Sequence, residues 1–171
     1  MNYYIFRHGE TIARKGISHY NDQQLTTGIL PEGAGAIEKM AHYLKEIKTD
    51  HNAASELLRV QQTVEIIENI TNKHFVKDSR LNELLDENNL EPPYPFTGYL
   101  DGKVKQLNSF INEMKRENYK SVLIGTHGYI IASLKRLLTD KEVTADNLND
   151  FPKPGVLTII KDKTIKEVDF N

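Results

Sequence analysis

The sequence contains no cysteine among its 171 residues. This absence excludes disulfide scaffolds, thiolate metal sites and cysteine nucleophiles, so any catalytic nucleophile must be another residue type. No apolar stretch is long enough to span a bilayer. Residues 1–6 also lack the basic, apolar and small-residue order of a signal peptide. We therefore expect a soluble, cytoplasmic protein without a membrane partner.

Basic charge is not in excess either, because the formal net charge is −2. A general nucleic-acid binder normally carries a basic surplus, so we expect no nucleic-acid partner. Gly33 and Gly35 superficially resemble a dinucleotide loop, but they lie at a helix start and the third glycine is lacking. The sequence has no phosphate loop of the Gly-Lys-Ser/Thr type and no paired histidine spacing for zinc. We predict neither a metal nor a cofactor.

The length fits one domain spanning residues 1–171. Apolar residues recur at helical spacing over residues 31–47, 57–70, 97–117 and 130–138, and Ser55 is expected to cap the second of these helices. Short β-branched or apolar runs predict strands at residues 3–6, 52–55, 74–76, 121–125, 156–160 and 164–168. This alternation predicts an α/β fold, a three-layer sandwich with a mainly parallel central sheet and helices on both faces.

Polar side chains follow three of the predicted strands. Arg7 and His8 follow the first, Ser55 and Arg59 follow the second, and His127 follows the strand that ends near Gly125. Because ligands of open α/β sheets bind outside the carboxyl ends of the strands, we expect these groups to converge at one edge. Two guanidinium groups and two imidazoles there would suit the oxygens of a phosphoryl group.

The order of these motifs resembles the histidine phosphatase superfamily, also called phosphoglycerate mutase-like. The resemblance rests on four segments that together cover nearly the whole chain: Arg7-His8-Gly9-Glu10-Thr11 after a strand, the stretch of residues 55–63 with Ser55, Arg59, Gln62 and Thr63, Leu81-Asn82-Glu83-Leu84, and Thr126-His127-Gly128.

The resemblance implies a cofactor-independent enzyme in which His8 attacks phosphorus and becomes a phosphohistidine. It further implies that Arg7, Arg59 and His127 hold the phosphoryl oxygens and that Glu83 acts as general acid and base. The chemistry agrees, because nearby guanidinium charges disfavour protonation of an imidazole and so keep it nucleophilic. Other nearby carboxylates remain alternatives for the proton donor: Glu10, Asp86 and Glu87.

Several positions depart from the family pattern and bear on specificity. Arg14, followed by Lys15, stands where many members have asparagine, and the usual segment after Glu83 is replaced by an acidic and proline-rich one. Possible substrate-binding residues are Thr11, Arg14, Lys15 and Gly128.

These observations favour a phosphatase that hydrolyses a small phosphorylated metabolite. Three alternatives remain open: phosphoglycerate mutase-type phosphotransfer, a protein phosphohistidine phosphatase, and a non-catalytic phosphate-binding module. The short chain favours hydrolysis over the mutase reaction, which usually needs longer closing segments to exclude water. For the assembly we expect a monomer or a homodimer.

Overall fold

The computed structural model describes residues 1–12, 26–83 and 97–171. Within these ranges the strands are β1 (Asn2–Arg7), β2 (His51–Ala54), β3 (Val76–Lys77), β4 (Ser121–Thr126), β5 (Val156–Lys161) and β6 (Thr164–Asp169). The helices are α1 (Ala34–Lys45), α2 (Leu58–Thr71), α3 (Thr97–Arg116) and α4 (Gly128–Leu137). None of the helices in the described ranges is long and apolar enough to cross a membrane.

The strands form one sheet in the order β3-β2-β4-β1-β5-β6. Strands β3, β2, β4 and β1 are mutually parallel, whereas β5 runs antiparallel to β1 and forms a hairpin with β6. The hairpin turns at Asp162 and Lys163, which both have positive φ. The carboxyl ends of β1, β4 and β2 therefore lie side by side.

Each face of the sheet is covered by one pair of helices. Along β1, Tyr3 and Ile5 pack toward the face of α3 and α4, whereas Phe6 packs toward the face of α1 and α2. Successive strand residues point to opposite faces, so the central strands must be apolar throughout, and β4 is buried along its whole length. The predicted three-layer α/β sandwich with a mainly parallel sheet is confirmed.

Two local expectations differ from the structure. Residues Pro31–Gly33 form a 3₁₀ turn ahead of α1, because the proline fits the first turn but the α-helical pattern begins only at Ala34. Ser55 does not cap α2, whose N-cap is Leu57 without a side-chain hydrogen bond. The Ser55 hydroxyl instead bonds to Asn82 and His127.

Candidate active site

Backbone hydrogen bonds extend the sheet just beyond its carboxyl edge. The His8 N–H donates to the Thr126 carbonyl at 3.0 Å, and the Ser55 N–H donates to the Gly125 carbonyl at 3.0 Å. These bonds hold the residue after β1 and the residue after β2 against the end of β4. As a result the His8 and His127 rings lie with centroids 5.2 Å apart.

The His8 ring is buried, with 2% of its surface exposed. Its Nδ1 lies 2.8 Å from the Gly9 carbonyl oxygen. Because a carbonyl oxygen can only accept, Nδ1 carries the proton in this contact. In the neutral ring the lone pair then resides on Nε2, the nitrogen a nucleophile would use.

The loop that carries His8 is attached to α2 through Thr63. The Gly9 N–H donates to Thr63 Oγ1 at 2.9 Å, and the Thr63 hydroxyl donates to the Arg59 carbonyl at 2.8 Å. Thr63 is fully buried, so both bonds are shielded from water. This chain of bonds ties the peptide next to His8 to the first turn of α2.

Arg7 is positioned by a loop that is distant in sequence. Its Nη1 donates to the Pro152 carbonyl at 3.3 Å, and its guanidinium carbon lies 4.9 Å from the centroid of the Phe151 ring. Phe151 in turn packs edge-on against Tyr129, with ring centroids 5.4 Å apart. The flat guanidinium group is thus held by an aromatic face and a carbonyl.

The basic side chains of the site lie close enough together to shift the pKa of His127. Arg59, in the first turn of α2, is only 1% exposed, and His127 is completely buried. Burial holds the pKa of His127 well below its usual range, and the neighbouring Arg59, His8, Arg7 and Lys103 lower this pKa further. His127 is therefore neutral at pH 7 before any anion binds.

Glu83 is half-buried and follows Asn82 directly. Lys103, on α3, donates from Nζ to the Asn82 carbonyl at 3.0 Å. Burial lowers the pKa of Lys103, while the charges of Glu83 and Asp78 raise it. Lys103 therefore interacts with both Glu83 and His127.

The remaining candidates divide between the described and the undescribed parts of the chain. Thr11 is buried close to the His8 loop, and Gly128 is the first residue of α4. Glu10, the alternative proton donor in the first motif, is half-buried. The other candidates fall outside the described residues: Arg14, Lys15, Asp86 and Glu87.

Three contributors to the site were not anticipated from the sequence. Lys103 had a detectable signal, because it lies within the apolar stripe of α3, three residues after Leu100 and four before Leu107. For the side chain of Asn82, the only sequence signal was its position in the segment Leu81-Asn82-Glu83-Leu84. Phe151 lies more than a hundred residues from Arg7, and no local pattern connects them.

Within residues 1–12, 26–83 and 97–171, no three His, Asp or Glu side chains are grouped so that they could hold a metal ion.

The structure is an α/β protein with basic groups at the carboxyl edge of its sheet, an arrangement suited to the oxygens of an anion. The model of the histidine phosphatase superfamily (branch 1) matches residues 3–86, the part that contains Arg7, His8, Arg59 and Glu83. Residues 3–86 belong to the histidine phosphatase superfamily. A search of curated proteins finds no significant sequence match.

Solved structures with the same fold span almost the whole chain. A putative α-ribazole-5′-phosphate phosphatase from Escherichia coli is 17% identical with a TM-score of 0.76, and the match covers 100% of this chain and 96% of that one. A mycobacterial glucosyl-3-phosphoglycerate phosphatase is 16% identical with a TM-score of 0.69, and covers 92% and 88%. The protein histidine phosphatase SixA, complexed with tungstate, is 17% identical with a TM-score of 0.66, and covers 99% and 97%.

Proposed function

We propose that the protein hydrolyses a small phosphorylated metabolite through a phosphohistidine formed on His8. The observation that carries this proposal is the bond from His8 Nδ1–H to the Gly9 carbonyl, which leaves Nε2 with its lone pair. The burial of His8 near the guanidinium groups of Arg7 and Arg59 supports it, because a nucleophile for phosphorus needs cationic donors around the transferring group.

The first step forms one bond and breaks another. His8 Nε2 attacks phosphorus, the bond from phosphorus to the ester oxygen breaks, and the leaving alkoxide takes a proton from Glu83. Arg7, Arg59 and His127 hold the non-bridging oxygens, where charge accumulates in the transition state.

The second step returns the enzyme to its starting state. Water attacks the phosphohistidine and gives a proton to the Glu83 carboxylate. The bond from phosphorus to nitrogen then breaks, and inorganic phosphate leaves. One carboxyl group thus serves as acid and then as base.

The named relatives of similar fold support hydrolysis over the mutase reaction, since all three are phosphatases. Two act on small metabolites by name, and SixA is a protein histidine phosphatase. We favour a metabolite ester because an alkoxide needs a general acid far more than an imidazole leaving group does. The position of Glu83 supports this choice, because it follows Asn82, whose side chain bonds to the Ser55 hydroxyl that contacts His127.

Phosphate release from a panel of substrates tests this function. The panel contains α-ribazole phosphate, glucosyl-3-phosphoglycerate, 3-phosphoglycerate, a phosphohistidine peptide and p-nitrophenyl phosphate. His8→Ala should abolish release and the trapping of an acid-labile phosphoenzyme. Glu83→Gln should lower kcat on alkyl esters by about 10²–10⁴-fold and should affect p-nitrophenyl phosphate much less.

Matched variants on exposed helix surfaces serve as controls. His42→Ala on α1 and Glu65→Gln on α2 should leave all rates unchanged. Equal phosphate release by the wild type and His8→Ala would refute the phosphohistidine route. Faster isomerisation of a phosphoglycerate than phosphate release would show a mutase.

A further inference from the structure

The hydrogen bonds of His127 determine which of its ring nitrogens carries the proton. His127 Nε2 lies 2.8 Å from Ser55 Oγ, and the Ser55 hydroxyl lies 2.8 Å from Asn82 Oδ1. These contacts form a line of hydrogen bonds from the buried histidine to the half-buried side-chain amide of Asn82. A hydroxyl has a single proton, so the direction of this line can be worked out.

The direction is set by a backbone amide at the far end. The Glu56 N–H donates to Asn82 Oδ1 at 2.9 Å, which identifies this amide atom as the oxygen. An oxygen can only accept from Ser55, so the Ser55 proton is used there. Ser55 Oγ must then accept from His127, and Nε2 must be the protonated nitrogen of that ring.

The other ring nitrogen of His127 is in an unusual state. Nδ1 is buried and has no hydrogen-bond partner among the described residues. In a neutral ring protonated at Nε2, Nδ1 carries a lone pair. The oxygens of a phosphoryl dianion also carry only lone pairs, so the two cannot bond unless a proton is placed between them.

We propose that Ser55 and Asn82 are positioning residues that oblige His127 to take up one proton at Nδ1 when a phosphoryl group binds. The proton comes from solvent, the ring becomes an imidazolium, and the new N–H donates to an oxygen of the anion. No other bond changes. The inference deepens the proposed function and rests on it for the place where the anion binds.

The surroundings of His127 explain why the proton is absent before binding. Its neighbours are Arg59 on α2, Arg7 and His8 at the end of β1, and Lys103 on α3, with Glu83 next to Lys103. The burial of the ring and its basic neighbours both disfavour the imidazolium. An incoming dianion reverses this balance, because it contributes two negative charges at the same place.

The proton uptake makes anion affinity depend on pH. Affinity is highest below the pKa of free His127 and falls about tenfold per pH unit above it, until the pKa of the complex is passed. A ring that already carried its proton on Nδ1 in the neutral form would bind the same anion without this dependence.

Nitrogen NMR of ¹⁵N-histidine-labelled protein tests the proposal with sodium sulfate, which remains a dianion at neutral pH. The His127 signal is assigned by its loss in His127→Gln. In free wild-type protein we expect a neutral ring protonated at Nε2, and with saturating sulfate an imidazolium. A free ring protonated at Nδ1, or a ring that stays neutral at saturation, would overturn the proposal.

Asn82→Ala separates positioning from a merely structural role. Without the Asn82 oxygen, the Ser55 hydroxyl is released to donate to His127 Nε2, and the neutral ring then holds its proton on Nδ1. Sulfate binding should take up about one proton fewer than in wild type, by calorimetry in two buffers. The change in sulfate affinity between about pH 6 and about pH 8 should flatten to less than about twofold per unit.

Three further variants complete the test. Asn82→Asp keeps an acceptor for Ser55 and should keep the Nε2–H ring. Asn147→Ala removes a capping side chain of a 3₁₀ turn elsewhere and should match wild type. Ser55→Ala removes the acceptor directly and replaces Asn82→Ala if that variant does not fold. Wild-type proton uptake in a folded Asn82→Ala or Ser55→Ala protein would refute the assignment.

None of these measurements depends on catalytic turnover. The proposed phosphatase activity and the proposed proton uptake by His127 can therefore be refuted independently of each other. Proton-coupled sulfate binding without phosphate release from any ester would refute the phosphatase and leave the role of Ser55 and Asn82 intact.

Discussion

At the scale of single residues, Gly128 shows how a side chain that is absent shapes the site. A Cβ at this position would lie 2.9 Å from Cδ2 of Phe151, closer than packed atoms approach. The Arg7 guanidinium lies over the face of the Phe151 ring, which supports it. The lack of a side chain at residue 128 therefore allows the aromatic ring to reach Arg7.

We expect Gly128→Ala to push Phe151 away and to leave Arg7 misplaced. Overpacking of this kind costs about 1–3 kcal/mol of stability, and a misplaced binding group can lower kcat/KM by about 10²-fold. Phosphate-release kinetics and urea denaturation measure both effects. Gly102→Ala is the control, because nothing lies within 4 Å of a Cβ there, and alanine should stabilise α3 by about 0.5–1 kcal/mol. Unchanged kcat/KM in Gly128→Ala would show that Phe151 does not support Arg7.

At the scale of secondary-structure elements, the site depends on how α2 is attached to the end of β1. The attachment is the pair of hydrogen bonds made by the Thr63 hydroxyl with the Gly9 N–H and the Arg59 carbonyl. Both are buried, and the residue whose N–H they hold, Gly9, also supplies the carbonyl that fixes the proton on His8 Nδ1.

Replacement of Thr63 by valine should loosen this attachment without changing the shape of the residue much. A buried Gly9 N–H left without a partner costs about 1–3 kcal/mol, which urea denaturation will detect. We also expect a lower kcat, because the carbonyl that orients His8 is no longer held in place. Thr63→Ser keeps the hydroxyl and should restore most of the lost rate. If Thr63→Ser were as slow as Thr63→Val, the methyl group rather than the hydroxyl would carry the effect.

The elements themselves could be predicted from the sequence, whereas their contacts at the site could only partly be foreseen. The apolar periodicity of α2 and α3 reports burial directly, so these helices begin and end close to their predicted limits, whereas α1 is shorter than predicted. The parallel strand order explains why His8, Ser55 and His127 meet. The hydroxyl of Ser55 was misjudged because its partners, Asn82 and His127, lie far along the chain.

At the scale of the whole molecule, stability should depend on pH through buried imidazoles. Burial lowers the pKa of both His127 and His51 in the folded state. In the unfolded chain histidine has its ordinary pKa of about 6.5. The unfolded chain therefore binds more protons below that value, and folding becomes less favourable as the pH falls.

The sign of this effect gives a measurable prediction. The full stability should be present above about pH 6.5 and should decline below it, by at most about 1.4 kcal/mol per pH unit for His127. Urea denaturation at a series of pH values down to about pH 5 avoids most carboxyl titration. His127→Gln should show a shallower decline than wild type. Identical declines in the two proteins would mean that His127 titrates normally when folded.

The central place of β1 in the sheet also affects how the protein is made. This strand pairs with β4 and β5, which are separated from it along the chain by α1, α2 and α3 and are therefore synthesised later. Its hydrogen bonds thus join residues far apart along the chain, the kind of contact that slows folding. During synthesis β1 must therefore remain unpaired until β4 and β5 have been made. The loop that carries His8 at the end of β1 takes its place at the edge of the sheet only after β4 is available.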